Sequence, residues 1–282
     1  MVDPAELLAY LNVYDVLSIY RHESTMNVTG VVAPCFAWSF SSLRVYSPSR
    51  RPHLSLRNCR TSKCRSIKDD GLPWVGLATY SFIAGAALGP ICDYQHSSHD
   101  VLHYTDPTIT APIETCWWVP LLFGVAGFLL GSGHPVLDRF MSTESRILGL
   151  RQQPVTGYAP SWSQVFLCIA LFYTQYWVSG VIDASDMSAG AFPDVVLAVT
   201  ALSLWYSFDR TAQGLIWAVL TALGGPLLEV LLINGLHLYE YSHPDVYGIP
   251  SWICWVYFAG APANGLLGRK IFNSLQQTER NT

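Results

Sequence analysis

Six apolar segments separated by short polar connectors point to an all-α, polytopic membrane protein, a bundle of six transmembrane helices. Three observations carry this. The 282-residue chain is 51% hydrophobic and 13% charged, about half the roughly 25% charge of a soluble domain. Its charges crowd into the N-terminal quarter and the connectors. Most of its ten Trp fall near segment ends, where amphipathic rings favour the membrane–water interface.

The chain opens with residues 5–20, ELLAYLNVYDVLSIYR, which suit a short amphipathic helix but are too short and too polar to span. From Met26 to Lys68 the composition turns basic, with six Arg, two Lys and eight Ser but no Asp or Glu. That is the composition of an organelle transit peptide, and it also suits a basic cytosolic tail drawn to anionic lipid. Residues 1–70 are therefore set apart as a basic extension. A six-helix domain is expected over 71–271, and a short polar tail over 272–282.

A helix needs about 20 residues to cross roughly 30 Å of hydrocarbon. The spans expected on that basis are Leu72–Cys92, Trp117–Gly133, Trp162–Ile182, Phe192–Phe208, Gly214–Gly235 and Trp252–Leu267. The second and fourth are short, and Trp and Pro at their ends suit the interface. Paired glycines inside the spans, Gly85 with Gly89 and Gly127 with Gly131, suit close approach of helix backbones. Pro226 frees a carbonyl in the fifth span and is expected to kink it.

Orientation follows from the connectors. Loops 93–116, 183–191 and 236–251 hold acids and five His, but no Lys or Arg. All sixteen basic residues lie in the N-terminal tail, the 134–161 loop, the Asp209-Arg210 corner and the C-terminal tail. Six spans alternate the two sets, which places both termini on the cytosolic side.

The chain contains no GxSxG, HExxH or P-loop pattern, so no catalysis and no cofactor is expected. Nor does it point to a nucleic-acid partner. Its seven cysteines form no CxxC or CxxH spacing, which argues against zinc. Cys92 and Cys116 flank one loop and either pair in an oxidising lumen or remain free thiols. His96, His99 and His103 could share a helical face beside Asp93 and Asp100 as a divalent-metal site; the alternative is a polar loop rich in His.

Glu229 is an ionisable group inside an apolar span, a position that marks function by default. Three roles stay open for it: satisfying a neighbouring hydroxyl, contacting a ligand hydroxyl, or relaying a proton or ion. Asp209-Arg210 stands at the tip of the hairpin joining the fourth and fifth spans. Asp209 either caps the helix that starts at Thr211 or faces a partner. A small transporter or ion path through Glu229 is thus the alternative to a binding protein, although no internal repeat of the transporter kind is visible. A membrane-embedded lipid-modifying enzyme ranks third, because few polar groups converge at one depth.

Several stretches together resemble the Insig (insulin-induced gene) family of membrane proteins. They are LSLWYSFDRTAQGL, Trp117-Trp118-Val119-Pro120, Asn234-Gly235, Pro250-Ser251-Trp252 and YFAGAPANGLLGR. Ser179 and Asp183 match a Ser and an Asp at the end of the family's third span. Pro244-Asp245, Phe258, Gly260, Gly265, Gly268 and Arg269 fall in register with its last loop and helix. The resemblance covers residues 72–271.

It implies a six-helix protein of the endoplasmic reticulum membrane that binds oxysterols or related lipids between its helices. It also implies sterol-sensing partners in the regulation of cholesterol and lipid metabolism, either the escort protein Scap or HMG-CoA reductase. By that likeness Asp209, with Arg210 beside it, is the partner-binding position, and Trp118, Ser179, Glu229 and Asn234 border the sterol or lipid. The chain departs from the family at Tyr176-Trp177, where relatives carry Asn-His, and at Glu229, where they carry Gln. A transit peptide in 26–68 would instead place it in a plastid membrane.

Overall fold

The computed structural model describes residues 73–141, 159–185, 188 and 190–281. The basic extension over 1–70, with its transit-peptide reading, lies outside the described residues. Among those described, six helices follow in order: α1 (Trp74–Ser97), α2 (Val119–Phe140), α3 (Trp162–Asp183), α4 (Phe192–Leu204), α5 (Ala212–Asn234) and α6 (Ile253–Asn281). Four of them, α1, α2, α3 and α5, are each long and apolar enough to cross a membrane. Helix α4 is shorter, and a π turn over Trp205–Asp209 prolongs it.

Local sequence explains the starts. Ser161 and Gln164 form a reciprocal capping box on α3. Pro120 and Pro193 stand in the first turns of α2 and α4, where a missing N–H costs nothing. Interior Pro90, Pro135, Pro226 and Pro262 are carried without ending their helices. The outward faces are apolar: Leu223, Leu227 and Leu231 of α5 are 68%, 63% and 59% exposed. In water that would be a costly surface; in a bilayer hydrocarbon covers it.

Helix α6 is the hub and packs against each of the other five. Its first half is built from small residues, with Ala259, Ala261 and Ala263 almost fully buried. Backbone approach is close enough that a Cβ on Gly268 would lie 1.9 Å from the Gly131 carbonyl oxygen of α2. The same holds between α1 and α2, where a Cβ on Gly85 would lie 2.2 Å from the Phe123 carbonyl oxygen. Small residues let apolar helices gain dispersion contacts where no hydrophobic effect drives them together.

Two boundaries extend beyond the sequence expectation. His134 to Phe140, assigned to a connector, continues α2, and residues 272 to 281, assigned to a polar tail, continue α6. Both stretches carry an apolar or paired inner face, with Ile271 and Phe272 packed beside Leu77 and Trp74 of α1. The acidic-side loops are also not irregular throughout. Strand β1 (Leu102–Tyr104) pairs antiparallel with β2 (Tyr239–Tyr241), setting Leu102 against Tyr241 and Tyr104 against Tyr239. This ribbon closes the end of the bundle opposite the basic connectors.

Candidate functional site

An apolar crevice runs between α1, α2, α3 and α6, with about 920 Å³ of empty space when its open mouth is included. Small residues line it, Gly85, Gly89 and Gly127 on one side and Gly260 and Ala263 on the other. Its polar groups are few. Tyr173, Tyr176 and Tyr257 stand towards the acidic end, and Thr221 and Asn264 lie deeper. Tyr173 is bonded to the Gln95 amide, and Tyr257 donates to Glu229 Oε1 at 2.7 Å. A concave apolar wall with a few hydroxyls gathered near one end suits an amphiphilic lipid body.

None of the four residues expected at the lipid lines this crevice. Glu229 sits five residues before the end of α5, nearer the acidic end than the middle of the span. Both its oxygens are occupied, by Tyr257 and by Tyr241 of the ribbon at 2.9 Å. Ser179 is buried, donates to the Tyr176 carbonyl at 2.7 Å and lies 2.9 Å from His96 Nε2. Both residues therefore act one layer behind the wall, Glu229 holding the Tyr257 hydroxyl directly and Ser179 acting through His96, which stacks on the Tyr176 ring. Gly225 makes room for this arrangement, since a Cβ there would meet the Tyr257 ring at 2.1 Å.

Trp118 packs instead on the β1–β2 ribbon, the lid of the acidic end, stacked on Tyr239 and edge-to-face with Tyr104. Asn234 ends α5 and donates to the Tyr247 carbonyl at 2.8 Å, pinning the loop after β2. Behind the lid Tyr104 is bonded to Asp93. Burial pushes the Tyr104, Tyr239 and Tyr241 phenols well above their usual range, and the nearby Asp93 and Glu229 carboxyls push the same way.

At the basic end the Phe208–Arg210 corner is built differently from either sequence reading. Asp209 does not cap α5; Thr211 does, accepting from the Gly214 N–H at 2.9 Å. Nor does the Asp209 carboxylate face outwards, being 4% exposed as a residue. It accepts from Thr211 Oγ1 at 2.6 Å and from Arg269 Nη1 at 2.8 Å. Arg269 of α6 reaches in the other direction to Asp138 of α2, with two bonds of 2.6 and 2.8 Å. One guanidinium thus ties α2, the α4–α5 corner and α6 together.

The π turn makes this possible. The Arg210 N–H bonds back to the Trp205 carbonyl at 2.7 Å, which rotates Asp209 inwards. Arg210 then takes a left-handed conformation at φ 53° and lays its guanidinium 4.4 Å over the Tyr206 ring. Asp138 and Arg269 as a charge pair were not found from the sequence. Each stands beside a second charge, Arg139 or Lys270, at a segment end, which reads as ordinary connector charge.

The remaining candidates separate. His96 is buried and stacked on Tyr176, His99 bonds to the Gln95 carbonyl, and His103 lies on β1 beside Ser242. They share no helical face, because α1 ends at Ser97. Among the described residues no three His, Cys, Asp or Glu are grouped to hold a metal ion. Cys92 and Cys116 are both buried free thiols.

The fold and site together define a polytopic α-helical membrane protein whose bundle carries an internal apolar crevice. The family model described as insulin-induced protein (INSIG) matches residues 78–272, more than half of the chain, and the chain belongs to that family. Insulin-induced gene 1 protein of Danio rerio is 27% identical over 191 residues, covering 67% of this chain and 70% of the relative. Insulin-induced gene 2 protein of Gallus gallus is 26% identical over 208 residues, covering 73% and 85%. The crystal structure of a mycobacterial Insig homolog, MvINS from Mycobacterium vanbaalenii, superposes with a TM-score of 0.55 at 19% identity. It covers 70% of this chain and 94% of that one, and the likeness shows the fold.

Proposed function

We propose that this protein is a lipid-responsive membrane adaptor of sterol and lipid metabolism. The crevice takes a sterol or isoprenoid-type lipid, and the corner at Phe208–Arg210 docks a membrane protein with a sterol-sensing domain, Scap-like or HMG-CoA reductase-like. The observation that carries this is the apolar crevice itself, open at one side and bordered by hydroxyls near the acidic end, in a chain of this family. Lipid and partner each favour the closed bundle, so each tightens the other's binding. Asp209 serves the docking indirectly, by fixing the shape of the corner, while Arg210 and Tyr206 form its outer surface. The endoplasmic reticulum membrane is the location this reading assigns, and membership in the family supports it.

The test is saturable labelling of the purified full chain by a photoreactive oxysterol, with Ala84→Phe and Ala126→Phe as variants. Both alanines line the crevice, so a phenyl ring there fills it. Loss of competable labelling in both, with unchanged melting, supports the reading. Labelling equal to wild type would overturn it. Reticular localisation of a C-terminally tagged full chain is expected, and import into plastids would remove the adaptor role.

A further inference from the structure

The seam between α2 and the start of α5 contains buried polar atoms that the protein itself does not satisfy. Both ring nitrogens of His134, Oδ2 of Asp209, Oε1 of Gln213 and Nε1 of Trp217 have no hydrogen-bond partner among protein groups. The His134 side chain and that of Asp209 are fully buried, and Gln213 is 1% exposed. His134 and Asp209 meet here, with the His134 ring also against Gly265 of α6, while Gln213 and Trp217 come from the first turns of α5 beside them. His134 Nε2 lies 3.4 Å from Asp209 Oδ2 without being aligned for a hydrogen bond. A Cβ on Gly133, the neighbour of His134, would lie 2.4 Å from Trp217 Cε2, the atom that carries Nε1. Gln213 precedes Trp217 by one turn of α5, and Asp209 Oδ2 rests against the next residue, Gly214.

The donor and acceptor inventory decides what belongs there. Asp209 Oδ2 and Gln213 Oε1 can only accept, the Trp217 N–H can only donate, and the His134 ring carries at least one N–H donor. A cation cannot accept from the indole N–H. An anion would meet a network that already holds two carboxylates, Asp138 and Asp209, against the single guanidinium of Arg269. A water molecule donates twice and accepts twice, which matches the set.

We propose that the α2–α5 seam is a binding site for internal water, one or more molecules held by Asp209, Gln213, Trp217 and His134. Bound there, water solvates the carboxylate oxygen that Arg269 does not reach. It places a polar, replaceable contact directly behind the Phe208–Arg210 corner. The site is independent of the lipid crevice, and the proposal does not rest on the adaptor reading.

Pulsed X-ray hydroxyl-radical footprinting of the full chain in lipid nanodiscs tests it, because radicals formed from bound water oxidise the side chains that hold it. After correction for intrinsic reactivity, His134 is expected to label severalfold faster than Trp252 and Phe258, as a side chain that holds bound water does. These two controls are 3% and 4% exposed, and the Trp252 N–H is already bonded to Asp183. Gln213→Leu removes an acceptor and is expected to slow His134 labelling severalfold; Gln213→Met is the second variant if the first fails to fold. A wild-type His134 rate no higher than the two controls overturns the proposal without any variant. So does fast labelling that neither substitution changes, since the radicals would then arrive from bulk solvent.

Discussion

Arg269→Met removes the one guanidinium that joins α2, the α4–α5 corner and α6. The bonds lost are those of 2.6 and 2.8 Å to Asp138 and 2.8 Å to Asp209. Two carboxylates then lose their guanidinium, one of them with its side chain wholly buried. Breaking a buried pair by removing one partner costs about 3–5 kcal/mol, a large share of the roughly 5–15 kcal/mol that holds a domain folded. For a domain of this size that corresponds to a fall of about 6–20 °C in melting temperature. Replacing all three groups, as Arg269→Met with Asp138→Asn and Asp209→Asn, removes the unpaired charge and is expected to recover most of that loss. The assay is intrinsic Trp fluorescence melting of the full chain in lipid nanodiscs. If Arg269→Met melts within about 2 °C of wild type, or if the triple variant melts below the single one, the network does not hold the helices together as argued.

Further outcomes follow from the same packing. Glu229→Gln keeps an acceptor for one of the Tyr241 and Tyr257 phenols and can only donate its NH2 group to the oxygen of the other. It is therefore expected to cost less than Glu229→Leu, which strands both phenols at about 1–3 kcal/mol each. Melting curves separate the two, and ion flux in vesicles that depends on Glu229 would favour a transport role instead. Gly85→Leu places side-chain atoms where α1 meets the Phe123 carbonyl, so overpacking of about 1–3 kcal/mol or more is expected in the same melt. The lid phenols give a pH signature. Tyr104, Tyr239 and Tyr241 have folded values above their usual 10, so their contribution to stability is intact below pH about 10 and is lost as pH rises beyond it. Absorbance at alkaline pH should show these three phenols ionising only with unfolding.

The bundle was legible because a bilayer imposes a period and a length on the sequence. Six apolar segments and the sorting of all basic residues into alternate connectors are properties of composition alone. What escaped were contacts between residues far apart in sequence. The Leu-His-Tyr and Tyr-Glu-Tyr triplets alternate as strands do, but three residues are too few to stand out from a loop. Glu229 was rightly singled out as a buried ionisable group, yet its two phenol partners come from a strand and another helix. Its place behind the crevice wall therefore depends on the fold. For Asp209 the sequence showed a charged corner but not the π turn that rotates the carboxylate inwards, since nothing in Trp205–Asp209 distinguishes that turn from one more turn of α4.

That rotation changes how a defect at Asp209 must be read. An Asp209→Ala variant removes an acceptor from both Arg269 and Thr211, so a lost partner interaction could reflect a disordered corner rather than a lost contact. Arg210 separates the two explanations. Its side chain lies outside the network, over the Tyr206 ring, and Arg210→Ala is expected to cost only about 0.5–1 kcal/mol of stability. If the corner docks a partner through its outer surface, Arg210→Ala weakens co-purification of a sterol-sensing partner while the melting temperature barely moves. Asp209→Asn is expected to lower both together, and restoring stability elsewhere in the bundle should recover part of the binding it loses. Should Arg210→Ala bind normally while stabilised Asp209→Asn still fails to bind, the carboxylate itself would have to reach the partner. That would require the π turn to rewind on docking and release Asp209 from Arg269.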